Sequence, residues 1–154
     1  MKVKVKVPAT SANLGPGFDV AGLALTLYNT FTFELNEGGL NITGCPTQFC
    51  NEENLTYQAF SQAAQSCGLD FKGVNIHCES QVPYTRGLGS SSTCIVAGIV
   101  GAFAFKDKTD DRQEILELAT KIEGHPDNVA PAIFGGLTVS VMEEEQVLKC
   151  SCKT

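Results

Sequence analysis

The sequence predicts an α+β fold for these 154 residues. Segments of alternating hydrophobicity are interspersed with segments of helical periodicity, and the two kinds lack the regular rhythm of a doubly wound parallel sheet. The composition, 43% hydrophobic and 18% charged, is sufficient for one domain with a substantial core. Because no internal repeat or linker-like tract divides the chain, we expect a single domain over residues 1–154.

Strand-like patterns recur along the chain. Near the N-terminus, lysine and valine alternate up to Pro8, which is typical of a half-buried strand whose lysines face solvent. The predicted strands are 2–8, 23–35, 41–43 and 74–78, with a last sheet segment over 134–142. Residues 10–19 are rich in turn-forming side chains and are predicted to form a connection between the first two strands.

Three segments have the periodicity of helices. Residues 54–67 form the first predicted helix, with apolar side chains on one side. A second begins near Ser92, and small residues fill the faces between its apolar positions, so we expect it to be largely buried. Asp110 or Asp111 can cap a third helix, which Gly124 should end.

Charge and hydropathy exclude several classes of protein. The formal net charge of -6, without a basic cluster to offset it, argues against a nucleic-acid partner. The longest apolar run, over residues 94–105, is too short to cross a bilayer, so no membrane partner is expected. The N-terminus has no secretory pattern, and the seven cysteines are an odd, scattered set, which predicts reduced thiols in the cytoplasm.

A glycine-rich loop, residues 83–93, directly precedes the second predicted helix. Gly87 and Gly89 lack a Cβ, so the backbone can approach a ligand closely, and the amides that follow would be free donors at a helix N-terminus. Such donors and the helix dipole favour an anion, which predicts a phosphate site. A serine N-cap on a flexible turn is an alternative that this segment leaves open.

Two other glycine motifs are excluded because the sequence lacks residues that they require. A dinucleotide-binding Gly-x-Gly-x-x-Gly would need glycine at position 92, where the chain has Ser92. A Walker A loop would need Gly-Lys followed by Ser or Thr, a tripeptide that does not occur in the sequence.

Three motifs together resemble those of one enzyme family. Gly-Leu-Gly-Ser-Ser over residues 87–91 is similar to the second motif of the GHMP kinases, although Ser92 and Thr93 stand where the family usually has alanine. Residues 8–20 and 123–136 resemble the N-terminal and central signatures of the homoserine kinases. The resemblance implies the GHMP kinase N-terminal fold, of the ribosomal protein S5 domain 2-like kind, with a mixed sheet packed on helices.

The resemblance also implies an activity, which is transfer of the γ-phosphoryl group of ATP to the side-chain hydroxyl of L-homoserine on the route to threonine. Magnesium would be held by the Ser91 hydroxyl and the Glu117 carboxylate, which are hard oxygen ligands. From the residues alone, Glu117 would more often pair with Lys121 one turn later on the helix surface. The implied ATP-binding residues are Pro83, Arg86, Gly87, Leu88, Gly89, Ser90, Ser91 and Ser92.

The amino-acid substrate is implied to lie between the other two motifs, with Asp19 and Asn128 as catalytic residues. Asp19 can accept a hydrogen bond from the attacking hydroxyl or from the α-ammonium group. Whether it also acts as a base stays open, because phosphoryl transfer gains most from positioning and charge neutralisation. In isolation these residues are also common as turn and cap side chains. The implied substrate-binding set is Asn13, Asp19, His125 and Asn128.

The resemblance covers only the N-terminal half of the family pattern. The third, glycine-rich motif and the later arginines that hold the substrate carboxylate have no counterpart in these 154 residues. We therefore expect the chain to lack the C-terminal GHMP domain and to show little turnover alone. Two other functions remain open: a GHMP kinase for another small alcohol, and a nucleotide-binding module without turnover. The sequence does not fix the oligomeric state, and a homodimer is compatible with it.

Overall fold

A computed structural model describes residues 1–12, 21–83, 88–143 and 146–152, and the α+β class predicted from the sequence is confirmed. In chain order the elements are β1 (Lys2–Ala12), β2 (Ala21–Asn36), β3 (Leu40–Thr43), α1 (Leu55–Cys67), β4 (Gly73–Ser80), α2 (Ser90–Ala104), α3 (Arg112–Glu123), α4 (Val129–Phe134), β5 (Leu137–Glu143) and β6 (Gln146–Cys152). A single 3-10 turn, Thr47–Phe49, lies between β3 and α1.

The strands form one mixed sheet around the long central strand β2. The order is β3-β4-β2-β5-β6, and β1 pairs with β2 outside this path. Only β3 and β4 run parallel among the described pairs, while the others are antiparallel. The register of β1 on β2 shifts between Pro8 and Thr10, and such an irregularity changes the direction of a strand end.

Strand β1 follows the alternation of its sequence. Val3, Val5 and Val7 are buried, whereas the lysines between them are exposed, as the sequence predicted. Because successive side chains of a strand point to opposite faces, this pattern buries one face of the sheet. The same face continues on β2, where Phe31 and Phe33 are buried.

Helices α1 and α2 pack together over that buried face. The Phe33 ring from the sheet stacks on Phe60 of α1 with ring centroids 5.4 Å apart, and the Phe71 ring meets Phe60 edge-on at 5.2 Å. Helix α2 is buried on most sides, because small residues such as Gly98 and Ala102 allow close packing. The core therefore fixes the axis of α2, and with it the direction of its N-terminus.

The helix ends follow local signals in the sequence. Asn54 caps α1 by accepting a hydrogen bond from the Tyr57 amide at 3.2 Å, and Asp111 caps α3 by accepting from the Glu114 amide at 3.2 Å. Gly124 ends α3 in a left-handed conformation. The third helix thus has the boundaries that its capping residues predicted.

The structure differs from the sequence prediction at three places. Thr10 continues β1 and does not begin the connection. Helix α4 occupies Val129–Phe134, so the strand predicted from residue 134 starts at Leu137. Strand β6, which pairs with β5, was not predicted. Within the described ranges, no helix has both the length and the apolar run needed to cross a membrane.

Candidate active site

The glycine-rich loop leads into α2 at Gly89, which is the N-cap of that helix. Its backbone has φ 70° and ψ 34°, a left-handed conformation that glycine adopts readily. The first amides of an α-helix have no acceptor inside the helix, so those of Ser90, Ser91 and Ser92 can be offered to an anion. The described part of the loop therefore has the geometry expected of a phosphate site.

Thr10, near the end of β1, connects this loop to the central motif. Its backbone amide donates to the Leu88 carbonyl at 3.0 Å, and its hydroxyl donates to Oδ1 of Asn128 at 2.9 Å. Thr10 is completely buried, and a Cβ added to Gly89 would overlap its hydroxyl. Three segments that are distant in the sequence, one from each motif, therefore meet at one buried threonine.

Asn29 on β2 holds the chain on both sides of the loop. Its Oδ1 accepts hydrogen bonds from the amides of Gln81 and Val82, each at 2.9 Å, and from the Ser80 hydroxyl at 3.1 Å. Its Nδ2 donates to the Thr93 hydroxyl at 2.9 Å. The side chain is buried, so these bonds are shielded from competing water. Asn29 thus fixes the strand end before the loop and the first turn of α2 after it.

The Thr93 hydroxyl completes this arrangement. It accepts the Asn29 bond and donates to the Ser90 carbonyl at 2.7 Å, within the first turn of α2. Thr93 therefore has a structural role, because an alanine at this position would leave the Asn29 amide without this acceptor.

Glu123, the last residue of α3, faces the serines of the loop. Its Oε1 lies 3.5 Å from the hydroxyl oxygens of both Ser91 and Ser92. Burial raises the pKa of the Glu123 carboxyl above its ordinary value, and Asp127 raises it further, whereas His125 and the two serines act in the opposite direction. A carboxylate held in this way gains more from a nearby cation than a fully hydrated one does.

Glu117, the predicted magnesium ligand, lies half-buried on α3. It accepts a hydrogen bond from the Gln113 side chain at 3.2 Å, and in the described part of the chain no bond joins it to Ser91. No group of three or more His, Cys, Asp or Glu side chains among the described residues is arranged to hold a metal ion. Mg²⁺ in phosphoryl-transfer sites is typically bound by one or two carboxylates, waters and the substrate's own phosphates, so Ser91 together with one carboxylate from α3 fits it.

The central motif places His125 and Asn128 on either side of a buried acid. The His125 ring pairs with the Asp127 carboxylate, which is 2% exposed and also accepts from the Asn128 amide at 3.1 Å. These contacts hold the turn between α3 and α4 in one conformation. The Asn128 side chain is thereby directed at Thr10 and Gly89, beside the loop.

Two further predicted ATP-binding residues lie in the described part of the loop. Pro83 is exposed at the start of the loop, and Leu88 is half-buried. Four predicted site residues lie outside the described ranges: Asn13, Asp19, Arg86 and Gly87.

The sequence analysis missed four side chains that organise the site, which are Thr10, Asn29, Glu123 and Asp127. Asn29 carried a readable signal, because it shares the strand face of Phe31 and Phe33 and is therefore a polar residue at a buried position. The other three lie within or beside the motifs. There the sequence alone does not distinguish a side chain that supports the site from one that binds a ligand.

Comparison with known proteins identifies the family to which the chain belongs. The family model of the GHMP kinases N terminal domain matches residues 54–136, and the chain belongs to the GHMP kinases. This is a family of ATP-dependent kinases, and its N-terminal domain accounts for the mixed sheet and the helices described above.

Individual relatives make the similarity more specific. A homoserine kinase of Clostridium beijerinckii is 51% identical over 94% of this chain and 49% of its own length. A solved homoserine kinase of Cytophaga hutchinsonii superposes with a TM-score of 0.81 at 27% identity, over 97% of this chain and 51% of its own. A candidate homoserine kinase of Listeria monocytogenes gives 0.86 at 34%, over 99% and 54%. The chain spans about half the length of the curated relatives it matches.

Proposed function

We propose that the protein containing this chain phosphorylates the side-chain hydroxyl of L-homoserine with ATP in the cytoplasm, giving O-phospho-L-homoserine, and that this chain supplies its nucleotide-binding half. One observation carries the proposal. The Thr10 amide and hydroxyl join the loop at Leu88 to the central motif at Asn128, so the phosphate-binding and substrate-binding motifs share one buried contact. The curated relatives in the comparison are named homoserine kinases, which supports this substrate.

The α2 N-terminus is the proposed seat of the ATP phosphates. The amides of the three loop serines would donate to phosphate oxygens, and the positive end of the helix dipole would add to their attraction. Gly89 keeps this surface open, because any side chain there would meet Thr10. Arg86 and Gly87 belong to the same proposed phosphate loop. Pre-organised donors of this kind stabilise charge that develops in the transition state.

Magnesium, when bound with the nucleotide, would neutralise phosphate charge. We propose that Ser91 and Glu117 hold it, as the family motif implies, while Glu123 accepts hydrogen bonds from the loop hydroxyls and orients them. Both glutamates lie on α3, which packs against α2, the helix that begins at the loop. Matched substitutions of the two glutamates can distinguish the metal ligand from the residue that orients the hydroxyls.

The homoserine pocket is proposed to lie between residues 8–20 and the central motif. Asn128 has a side-chain amide whose Oδ1 is taken by Thr10, which leaves its NH₂ group to donate to a substrate oxygen. Asn13 and Asp19 would contact the amino-acid part, and Asp19 would orient the attacking hydroxyl. His125, fixed by Asp127, would border the same pocket. Positioning of this kind supplies most of what a loose phosphoryl transfer needs.

The two glutamates can be separated by matched substitutions. Glu117→Gln should raise the Mg²⁺ concentration for half-maximal activity by at least about tenfold, since even outer partners of metal ligands contribute that much. Glu123→Gln is the same change on the same helix and should shift the Mg²⁺ requirement less, because the amide oxygen still accepts from the serines. Should Glu123→Gln have the larger effect in the magnesium titration, the carboxylate beside Ser91 is the ligand and the assignment of Glu117 is wrong.

Asp19→Asn tests the substrate side. We expect kcat/KM for homoserine to fall by about 100-fold or more, as when a transition-state contact is lost, with the ATP dissociation constant unchanged. Asp70→Asn, an exposed acid after α1, is the control and should alter neither quantity. An equal loss of ATP affinity and turnover in Asp19→Asn, measured by calorimetry and steady-state kinetics, would place Asp19 at the nucleotide and contradict its assignment.

A further inference from the structure

A cluster of thiols includes none of the residues assigned to the site. Cys45 and Cys50 flank the 3-10 turn after β3, Cys78 is on β4, and Cys94 is on α2. The sulfur atoms of Cys45 and Cys50 are 3.4 Å apart, and Cys78 lies close enough to Cys45 to interact with it electrostatically. We call these four residues the thiol cluster. All four are free thiols and partly buried.

The backbone around Cys45 and Cys50 is built to bring these sulfurs together. Gly44 has a φ of 84°, and a Cβ there would overlap the Cys78 carbonyl, so only glycine allows β3 to end this close to β4. The turn is closed by the Phe49 amide on the Pro46 carbonyl at 2.8 Å and by the Cys50 amide on the Thr47 carbonyl at 3.1 Å. The Cys50 thiol also donates to the Cys45 carbonyl at 3.6 Å.

Burial keeps the thiols of Cys45 and Cys78 protonated at neutral pH. Burial raises the pKa of Cys45 to about 11, and the neighbouring Cys50 thiol contributes in the same direction. Burial likewise raises the pKa of Cys78 to about 12. Cys45 and Cys78 therefore rest as thiols and not as thiolates.

We propose that Cys45 and Cys50 form a thiol modification site that takes low-molecular-weight disulfides of the glutathione type and becomes a reversible intramolecular disulfide. The sulfurs need to approach from 3.4 Å to about 2.05 Å, a shift within reach of side-chain rotation. The four residues between them, 46–49, are all exposed, so a small disulfide can reach the pair from solvent.

The reaction balances in two exchange steps. One cysteine, as thiolate, attacks a sulfur of the small disulfide, forms a mixed disulfide and releases one small thiolate. The second cysteine, as thiolate, then attacks the protein sulfur of that mixed disulfide and releases the other small thiolate. Two protein thiols are oxidised, one small disulfide is reduced to two thiols, and the two protons pass to the released thiolates.

Mass mapping tests the site directly. The intact protein is equilibrated with oxidised glutathione, quenched in acid, unfolded and alkylated with N-ethylmaleimide. We expect the peptide that spans Cys45 and Cys50 to lose two hydrogen atoms and both alkylation sites, and to regain them after reduction. Cys67→Ser, which removes a buried thiol on α1, should leave this disulfide intact, whereas Cys50→Ser should abolish it. A disulfide that instead joins Cys45 to Cys78, or thiols that stay alkylatable throughout, would overturn the proposal.

An equilibrium measurement distinguishes the effect of the fold on disulfide formation from the effect of the short sequence separation between Cys45 and Cys50. The exchange constant of the Cys45–Cys50 pair with glutathione is compared in the native protein and in urea. Because the fold holds the sulfurs in contact, we expect the constant to be at least about tenfold more favourable in the native state. Equal constants would mean that the structure contributes nothing to the site and would refute it.

Discussion

Replacement of Gly89 by valine should abolish nucleotide binding. The residue has a φ of 70°, which a β-branched side chain avoids, and its Cβ would overlap the Thr10 hydroxyl. Either the α2 N-terminus must move or the Thr10 contacts to Leu88 and Asn128 must break. We therefore expect the affinity for Mg-ATP, measured by calorimetry, to fall by about 100-fold or more, the scale of losing several oriented donors.

Gly68→Val is the matched control for this substitution. Gly68 ends α1 with a φ of 76°, and a Cβ there would meet no atom within 4 Å. The control therefore carries the same backbone strain, of order 1–2 kcal/mol, without the clash beside the loop. It should lower the melting temperature and leave ATP affinity intact. If Gly89→Val binds ATP as tightly as Gly68→Val does, the α2 N-terminus is not the phosphate site.

Asn29→Leu should destabilise the protein and weaken ATP binding together. Leucine has a similar volume but cannot accept from the Gln81 and Val82 amides or donate to Thr93. A buried amide left unpaired costs about 1–3 kcal/mol, so we expect the free energy of unfolding to fall by about 3 kcal/mol or more. Because the same side chain holds both sides of the loop, ATP affinity should also fall in conditions where the variant is still folded.

Asn36→Leu gives the comparison on the same strand. The Asn36 Oδ1 accepts from the amides of Gly38 and Gly39 at 2.7 and 3.0 Å, and its Nδ2 donates to Asn75 at 2.7 Å. The bonding pattern matches that of Asn29, but it lies in the turn before β3, away from the loop. Denaturant unfolding should show a smaller loss, since these groups are partly exposed, and calorimetry should show unchanged ATP affinity. Equal loss of ATP affinity in both variants would show that Asn29 acts through overall stability alone.

Elements with local signals could be predicted from the sequence, and the helix caps illustrate why. Asp111 and Gly124 form hydrogen bonds with backbone groups only a few residues away. The bounds of α3 can therefore be predicted from the local sequence. The Lys-Val alternation of β1 is equally local. Helix α4 escaped prediction because it is a six-residue segment containing Pro131, too short for a periodic pattern. Strand β6 is defined chiefly by its pairing with β5.

The supporting contacts of the site are long-range, and no local pattern encodes them. Thr10 contacts Asn128 only because β1 and α4 both pack against α2. Asn29 likewise reaches Thr93 from a separate strand. The family motifs indicated which segments converge but not which side chains bind ligand and which hold the others. The placement of Glu123 beside Ser91 depends on where α3 ends relative to α2, which is a property of packing.

The central claim is tested most directly by the substrate dependence of ADP formation in the protein that contains this chain. With Mg-ATP held saturating, kcat/KM is measured for L-homoserine, mevalonate and galactose. A site whose polar groups are arranged for one substrate rejects analogues that leave them unpaired, so homoserine should be preferred by at least about 100-fold. Preference for mevalonate or galactose, or tight ATP binding with no turnover of any of the three alcohols, would contradict the proposed function.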